Sequence, residues 1–267
     1  MYENSPIAFC VTSTSHGMMI VNRNDYHEPV AGHGYGVGYQ ILNNSCYDPQ
    51  EVQIAKFLLA KRLQYFGEGV HAVDCGANIG VHTIEWAKQL GTNGKVTSIE
   101  AQKKVYYALC GNVVMNNCLN VECLNVAISD KKGQLKIPLL DYLRPASFGS
   151  LELKQHDRSE FIGQNIDKFD ELPAMPIDQL NLGRVDFLKI DVEGMEFEAL
   201  SGAKKTISKN KPIILIEKIK VDSDRLHENL KDFGYTVLPI GLNFLAVDKD
   251  DPTLNHINST GSQVTLS

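Results

Sequence analysis

From residue 70 onward the chain alternates short apolar runs with amphipathic stretches, and no feature constrains its fold more. Residues 71–75, 95–100 and 121–128 read as strands, and 81–90 and 103–117 as the helices between them. After an interruption the alternation resumes, with strands at 185–191 and 213–217 and helices at 195–205 and 224–233. Residues 235–240 and 243–248 flank Gly241 as a terminal antiparallel hairpin. Alternating strands and helices imply an α/β fold: an open, mostly parallel sheet with helices on both faces. In such sheets ligands bind beyond the carboxyl ends of the strands, where the strand order reverses. Three of these strands end in Asp74, Glu100 and Asp191, so the three acids are expected in one crevice.

The flanking regions read differently. Residues 1–48 suggest short strands and loops, an extension packed on the domain or capping its site, with Gly32, Gly34, Gly36 and Gly38 lining one face of a strand. The main domain spans 49–249 and opens on a helix, with Asp48 as N-cap, Pro49 in the first turn, Glu51 at capping-box spacing and Gly67 as its stop. Residues 130–181 read as an insertion with short strands at 134–139 and 150–153. The tail, 250–267, is polar, unpatterned and expected to be mobile.

Composition excludes several classes. With 26 Lys and Arg against 32 Asp and Glu the net charge is −6, which disfavours nucleic acid because phosphate affinity comes mostly from Lys and Arg. No apolar run approaches the ~18 residues of a membrane helix. The first ten residues show no secretory pattern, and Cys10, Cys46, Cys75, Cys110, Cys118 and Cys123 show no zinc spacing. Reduced thiols and a cytoplasmic location are expected. Oligomeric state leaves no readable mark.

The chemistry concentrates in Asp74-Cys75-Gly76-Ala77-Asn78-Ile79-Gly80, a glycine turn between a strand and a helix. Such a turn lets backbone N–H groups approach a ligand. Glu100 lies 20 residues beyond Gly80 at the next strand end, where a carboxylate accepts both hydroxyls of a ribose. Together they indicate a nucleoside cofactor. A dinucleotide turn wants glycine where Asn78 stands, and a carboxylate at Asp74 would repel a pyrophosphate. S-adenosylmethionine has no phosphate and carries a sulfonium and an ammonium, so an acidic crevice suits it.

These residues, with Ile99-Glu100, Asn125-Val126-Ala127-Ile128-Ser129-Asp130 and Lys189-Ile190-Asp191-Val192-Glu193-Gly194-Met195-Glu196, resemble the FkbM-type S-adenosylmethionine-dependent methyltransferases over residues 70–247. The Lys-Ile-Asp-Val-Glu-Gly segment is the most specific part. Ala101-Gln102 departs from the pattern, since many relatives carry proline after the acid. The resemblance implies a Rossmann-like class I methyltransferase fold and O-methylation of a hydroxyl on a sugar, glycan or related small molecule. It implies cofactor contacts at Asp74, Gly76, Ala77, Asn78, Gly80, Glu100, Ala101, Ala127 and Asp191. A NAD-dependent nucleotide-sugar oxidoreductase and a non-catalytic cofactor-binding module are the alternatives.

Asp191 and Glu193 are the catalytic candidates, as a general base or as two ligands of a divalent cation; satisfying the turn is the structural alternative. Glu217 at the fifth strand end is a further candidate. His82 reads first as a packed first-turn histidine. His156, with Asp157 and Arg158, reads as a solvated loop, and residues 147–151 as a turn that could lie over the substrate.

Overall fold

The computed structural model describes residues 6–30, 32–154, 159–260 and 263–267. The chain opens with a hairpin of β1 (Phe9–Thr14) and β2 (Gly17–Asn22), then a bulged pair, β3 (His27–Val30) and β4 (His33–Tyr35), and helix α1 (Val37–Asn44). The expected glycine-faced strand does not form. Gly36 is the N-cap of α1 and Gly38 lies inside it. A Cβ at Gly36 would meet the Asp25 carbonyl at 2.5 Å, and one at Gly38 the Asn22 carbonyl at 2.4 Å, so both glycines serve backbone packing.

Helix α2 (Pro49–Phe66) ends at Gly67 as its sequence requires, but its capping box is not made. Asp48 sits in the left-handed region at φ 35° and its side chain caps nothing. Glu51 instead faces His82 at 3.2 Å and accepts from Asn243 Nδ2 at 2.6 Å.

The central unit runs β5 (Val70–Cys75), α3 (Val81–Leu90), β6 (Gly94–Ile99), α4 (Lys103–Met115) and β7 (Val121–Leu124). The third predicted strand stops early: residues 127–128 separate as β8 (Ala127–Ile128) and join β9 (Gly133–Pro138) and β10 (Phe169–Met175) in a small sheet of order β8-β10-β9. Residues 150–153, expected as a strand, carry no regular structure. Then follow β11 (Phe187–Ile190), α5 (Glu196–Ser201), α6 (Lys204–Asn210), β12 (Ile213–Glu217), α7 (Ser223–Asp232), β13 (Tyr235–Ile240) and β14 (Asn243–Asp248). The single helix predicted over 195–205 is thus two, broken at Gly202, whose Cα lies so close to the Ser129 carbonyl that a Cβ would stand 2.2 Å from it. The tail is not unpatterned: a 3-10 turn leads into a hairpin of β15 (Ile257–Thr260) and β16 (Gln263–Leu266).

The central sheet has the order β13-β14-β12-β11-β5-β6-β7, with β14 antiparallel to its neighbours. β5, β11, β12 and β14 are buried along their whole length, which is why they read as unbroken apolar runs. One core packs α2, α3 and α4 against Ala72, Phe187 and Leu215, and a second packs α5, α7 and the small sheet against Val73, Leu188 and Ile214. Successive residues of one strand therefore feed opposite cores. The order reverses between β5 and β11, and that crevice is the site the alternation predicts.

Candidate active site

A cleft of about 460 Å³ opens over the carboxyl ends of β5, β6, β11 and β12. Gly76, Ala77, Asn78, Glu100, Ala101, Ala127, Asp191 and Glu193 line it, as do His82 and Glu217. Asp74 and Gly80 do not. Asp74 is buried below the floor, where it accepts from the Thr83 hydroxyl at 2.7 Å, and Gly80 admits the Leu109 side chain, which a Cβ would approach to 2.5 Å. Both residues shape the turn from behind. His156, Asp157 and Arg158 lie outside the described residues.

The glycine turn keeps its N–H groups for itself. Those of Gly76 and Ala77 both donate to the Ile99 carbonyl at 2.9 Å, and that of Gly80 to the Ala77 carbonyl. The Asn78 N–H donates to Glu100 Oε2 at 3.0 Å and the Ile79 N–H to the Asn78 side chain at 2.7 Å. The expectation that this backbone approaches a ligand through free donors is therefore corrected: no N–H from 76 to 80 is left for a phosphate. Asn78 itself adopts φ 50°, doing conformationally what a glycine would. Gly76 is fixed by a different contact, since a Cβ there would stand 1.7 Å from the Asp191 carbonyl.

Glu100 takes the Gln102 N–H on its other oxygen at 2.7 Å. Burial pushes its carboxyl up to about 7, against these two hydrogen bonds and with the repulsion of Asp74 and Asp191.

The Lys-Ile-Asp-Val-Glu-Gly-Met-Glu segment builds the opposite wall. Lys189 points from β11 to Asp191 Oδ2 at 2.7 Å and is itself buried. Burial opposes its charge, but Asp191, Asp74 and Glu51 hold the ammonium well above its ordinary range. Glu196, wholly buried, reaches back to accept from the Val192 N–H at 3.1 Å and the Gly194 N–H at 3.1 Å. That clasp bends the turn so that Glu193 sits at φ 50° and its carboxylate turns inward. Asp191, Glu193 and Glu217 then offer oxygens within 4.8 Å of one another. Burial, then repulsion from Asp191, lifts Glu217 to about 8, and the same causes raise Glu193 well above the carboxylate range. His82 is the packed first-turn histidine that the sequence suggests, buried 5.5 Å from the Trp86 ring and 3.2 Å from Glu51.

The rest of the lining comes from regions whose residues carry no motif. Tyr35, Val37, Gln40, Tyr47 and Asp48 enter from the N-terminal extension, and Ser147, Ser150 and Glu160 from the insertion. Lys220, just after β12, bonds Glu160 at 2.6 Å, and Glu160 in turn accepts from the Tyr35 hydroxyl at 2.5 Å. Asp25 ties the two regions together, accepting from the Gly38 and Phe148 N–H groups at 2.9 Å each. Its buried pairing with two backbone donors was not signalled in the sequence, because Gly38 and Phe148 lie 13 and 123 residues further along the chain.

A doubly wound sheet with its last strand reversed and a cleft lined by Glu100, Asp191, Glu193 and Glu217 at the switch point define a Rossmann-like architecture with an acidic site. The chain belongs to the methyltransferase FkbM domain family, whose model matches residues 74–237. Among solved structures it is similar to a methyltransferase FkbM from Methylobacillus flagellatus KT, with 18% identity, TM-score 0.47 and coverage of 70% of this chain and 47% of that one. It is also similar to an O-methyltransferase from Bacillus cereus in complex with SAH, with 16% identity, TM-score 0.44 and coverage of 76% and 83%. The chain thus spans about half the length of the first of these. No curated protein matches. No helix among the described residues is long and apolar enough to cross a membrane.

Proposed function

We propose that the protein is an S-adenosylmethionine-dependent O-methyltransferase acting on a hydroxyl of a sugar, glycan or related small molecule. The observation that carries this reading is the pairing of an acidic cleft with a glycine turn that has no free N–H group. A pyrophosphate needs such donors and is repelled by carboxylates, which argues against a nicotinamide dinucleotide. A cation-bearing nucleoside without phosphate fits the same donor set. Glu100 and Ala101 would receive its ribose, and Asn78, Ala127 and Asp191 line the same cleft, Asp191 as a counter-charge for its cations.

When bound, S-adenosylmethionine supplies a methyl group on a cationic sulfur, which departs as a neutral thioether. The chain's own residues do the rest. The extension and insertion present aromatic and hydrogen-bonding groups, Tyr35, Gln40, Tyr47 and Ser150, suited to a polyhydroxylated acceptor. They hold one hydroxyl against the cofactor, and positioning of this kind supplies much of the rate. The carboxylates of Glu193 and Glu217 weaken the hydroxyl proton. Asp191 is less available for that role, because its Oδ2 already accepts from the Lys189 ammonium at 2.7 Å. A cytoplasmic setting belongs to the same reading and rests on six cysteines that form no disulfide.

The test is transfer of labelled methyl from S-adenosylmethionine to a panel of sugars and glycans, with mass spectrometry of the products. Label on a hydroxyl oxygen supports the reading. Label only on nitrogen or carbon, or hydride transfer from NADH instead, contradicts it.

A further inference from the structure

We propose that Asp191, Glu193 and Glu217 hold one hard divalent cation, of the magnesium or manganese class, beside the acceptor hydroxyl. The inference rests on the reading of the cleft as a methyl-transfer site and adds to it the means by which the hydroxyl is held. Three carboxylates from two adjacent strand ends place ligand oxygens within 4.8 Å of one another. Proximity of acids alone would not make a site. The second observation is that two of the cluster's oxygens are buried without a donor among the described residues. Glu217 is 9% exposed, and its Oε2 is buried with no hydrogen-bond donor among the described residues. Glu193 Oε2 is likewise buried and unpartnered.

The neighbouring ammonium groups leave these two oxygens without a hydrogen bond. Lys189 bonds Asp191 Oδ2 at 2.7 Å, and Lys220 bonds Glu160 at 2.6 Å while standing 3.9 Å from Glu193 Oε2, beyond hydrogen-bond reach. Buried polar oxygens in a native fold are paired, and two buried carboxylate oxygens without donors, facing a third carboxylate, call for a cation. The ligands are all hard oxygens, which selects magnesium or manganese over zinc or copper. Three protein ligands leave coordination positions open on the cleft side for water and an acceptor oxygen. An acceptor hydroxyl bound there becomes a stronger acid and is fixed in one orientation. Lys189 and Glu196 hold two of the three ligands through the same turn, so the site is built before any ion enters.

The experiment titrates the cofactor-free full chain with Mn²⁺, read by electron paramagnetic resonance, and measures S-adenosylhomocysteine binding by calorimetry with and without chelator. One Mn²⁺ per chain, displaced by Mg²⁺, is expected. Glu217→Gln and Glu193→Gln should each weaken Mn²⁺ at least about tenfold, since affinity follows the charge count of the ligands. Glu193 lies in a turn, so its variant keeps the test alive if the strand-end variant does not fold. S-adenosylhomocysteine should bind with chelator present. Absence of stoichiometric Mn²⁺, or both variants binding it like the parent while S-adenosylhomocysteine binds normally, overturns the cation site and leaves the cofactor reading standing. Failure of S-adenosylhomocysteine to bind the parent protein overturns the cofactor reading and this inference with it.

Discussion

At Gly76 one added methyl would meet the Asp191 carbonyl at 1.7 Å, on a backbone at φ 80° that favours glycine. The glycine is there to let β5 and β11 close at their ends. Gly76→Ala is therefore expected to destabilise the fold by about 1–3 kcal/mol or more, as overpacking does, measured by urea unfolding. A variant of unchanged stability would show that the strand ends yield. Glu100 is the residue that reports on the cofactor. Glu100→Ala should weaken S-adenosylmethionine by about 1.5–3 kcal/mol, the scale of a hydrogen bond to a charged group. Its carboxyl, raised to about 7 by burial, accepts hydroxyls best when ionised. Affinity should thus fall as pH drops through about 7 and level off above it, and the Glu100→Ala variant should lose that slope. A parent affinity flat from acid to alkaline pH would contradict the role of this carboxylate. The acids Asp74, Glu100 and Asp191 were legible because each ends a strand, yet only two face the cleft. Which way a strand-end side chain turns depends on local contacts, here Thr83 capturing Asp74, and no spacing encodes that.

At the scale of elements, the long buried strands were readable because burial on both faces leaves unbroken apolar runs, as in Ile213-Ile214-Leu215-Ile216. β10 was not, since Phe169-Asp170-Glu171 lies exposed and Pro173, a residue that disfavours strands, stands inside it. The break between α5 and α6 was hidden for another reason: helical spacing persists through Gly202, and only the approach of the Ser129 backbone forces the interruption. Asp25 joins the extension to the insertion, and its burial has a measurable sign. Its carboxyl is raised from 3.8 to about 6 by burial, against the hydrogen bonds of Gly38 and Phe148. The folded state holds that proton more tightly than the unfolded chain does. Its stabilising contribution is therefore present below pH 3.8 and is lost as pH rises through about 6. The difference in unfolding free energy between the parent and Asp25→Asn should fall over that window. A difference independent of pH would show that Asp25 is not buried as an acid.

For the whole molecule, the open, mostly parallel sheet with its terminal antiparallel hairpin followed from the alternation of elements, and so did a crevice at the strand ends that Glu100 and Asp191 line. The other wall of the cleft is assembled from Tyr35, Gln40, Tyr47, Ser150 and Glu160, residues from two segments far apart in sequence and brought together by tertiary contacts. The turn at 147–151 and the capping role of residues 1–48 were legible as possibilities, but the individual side chains are ordinary surface types and no pattern marked them. The central claim is that the switch-point cleft receives a phosphate-free cationic nucleoside on Glu100. It is tested most directly by calorimetry of S-adenosylmethionine and of NAD against the parent and Glu100→Ala. One S-adenosylmethionine per chain, weakened in the variant, with no NAD binding, is the predicted result. NAD bound in preference, or S-adenosylmethionine bound equally well by a folded Glu100→Ala, would contradict it.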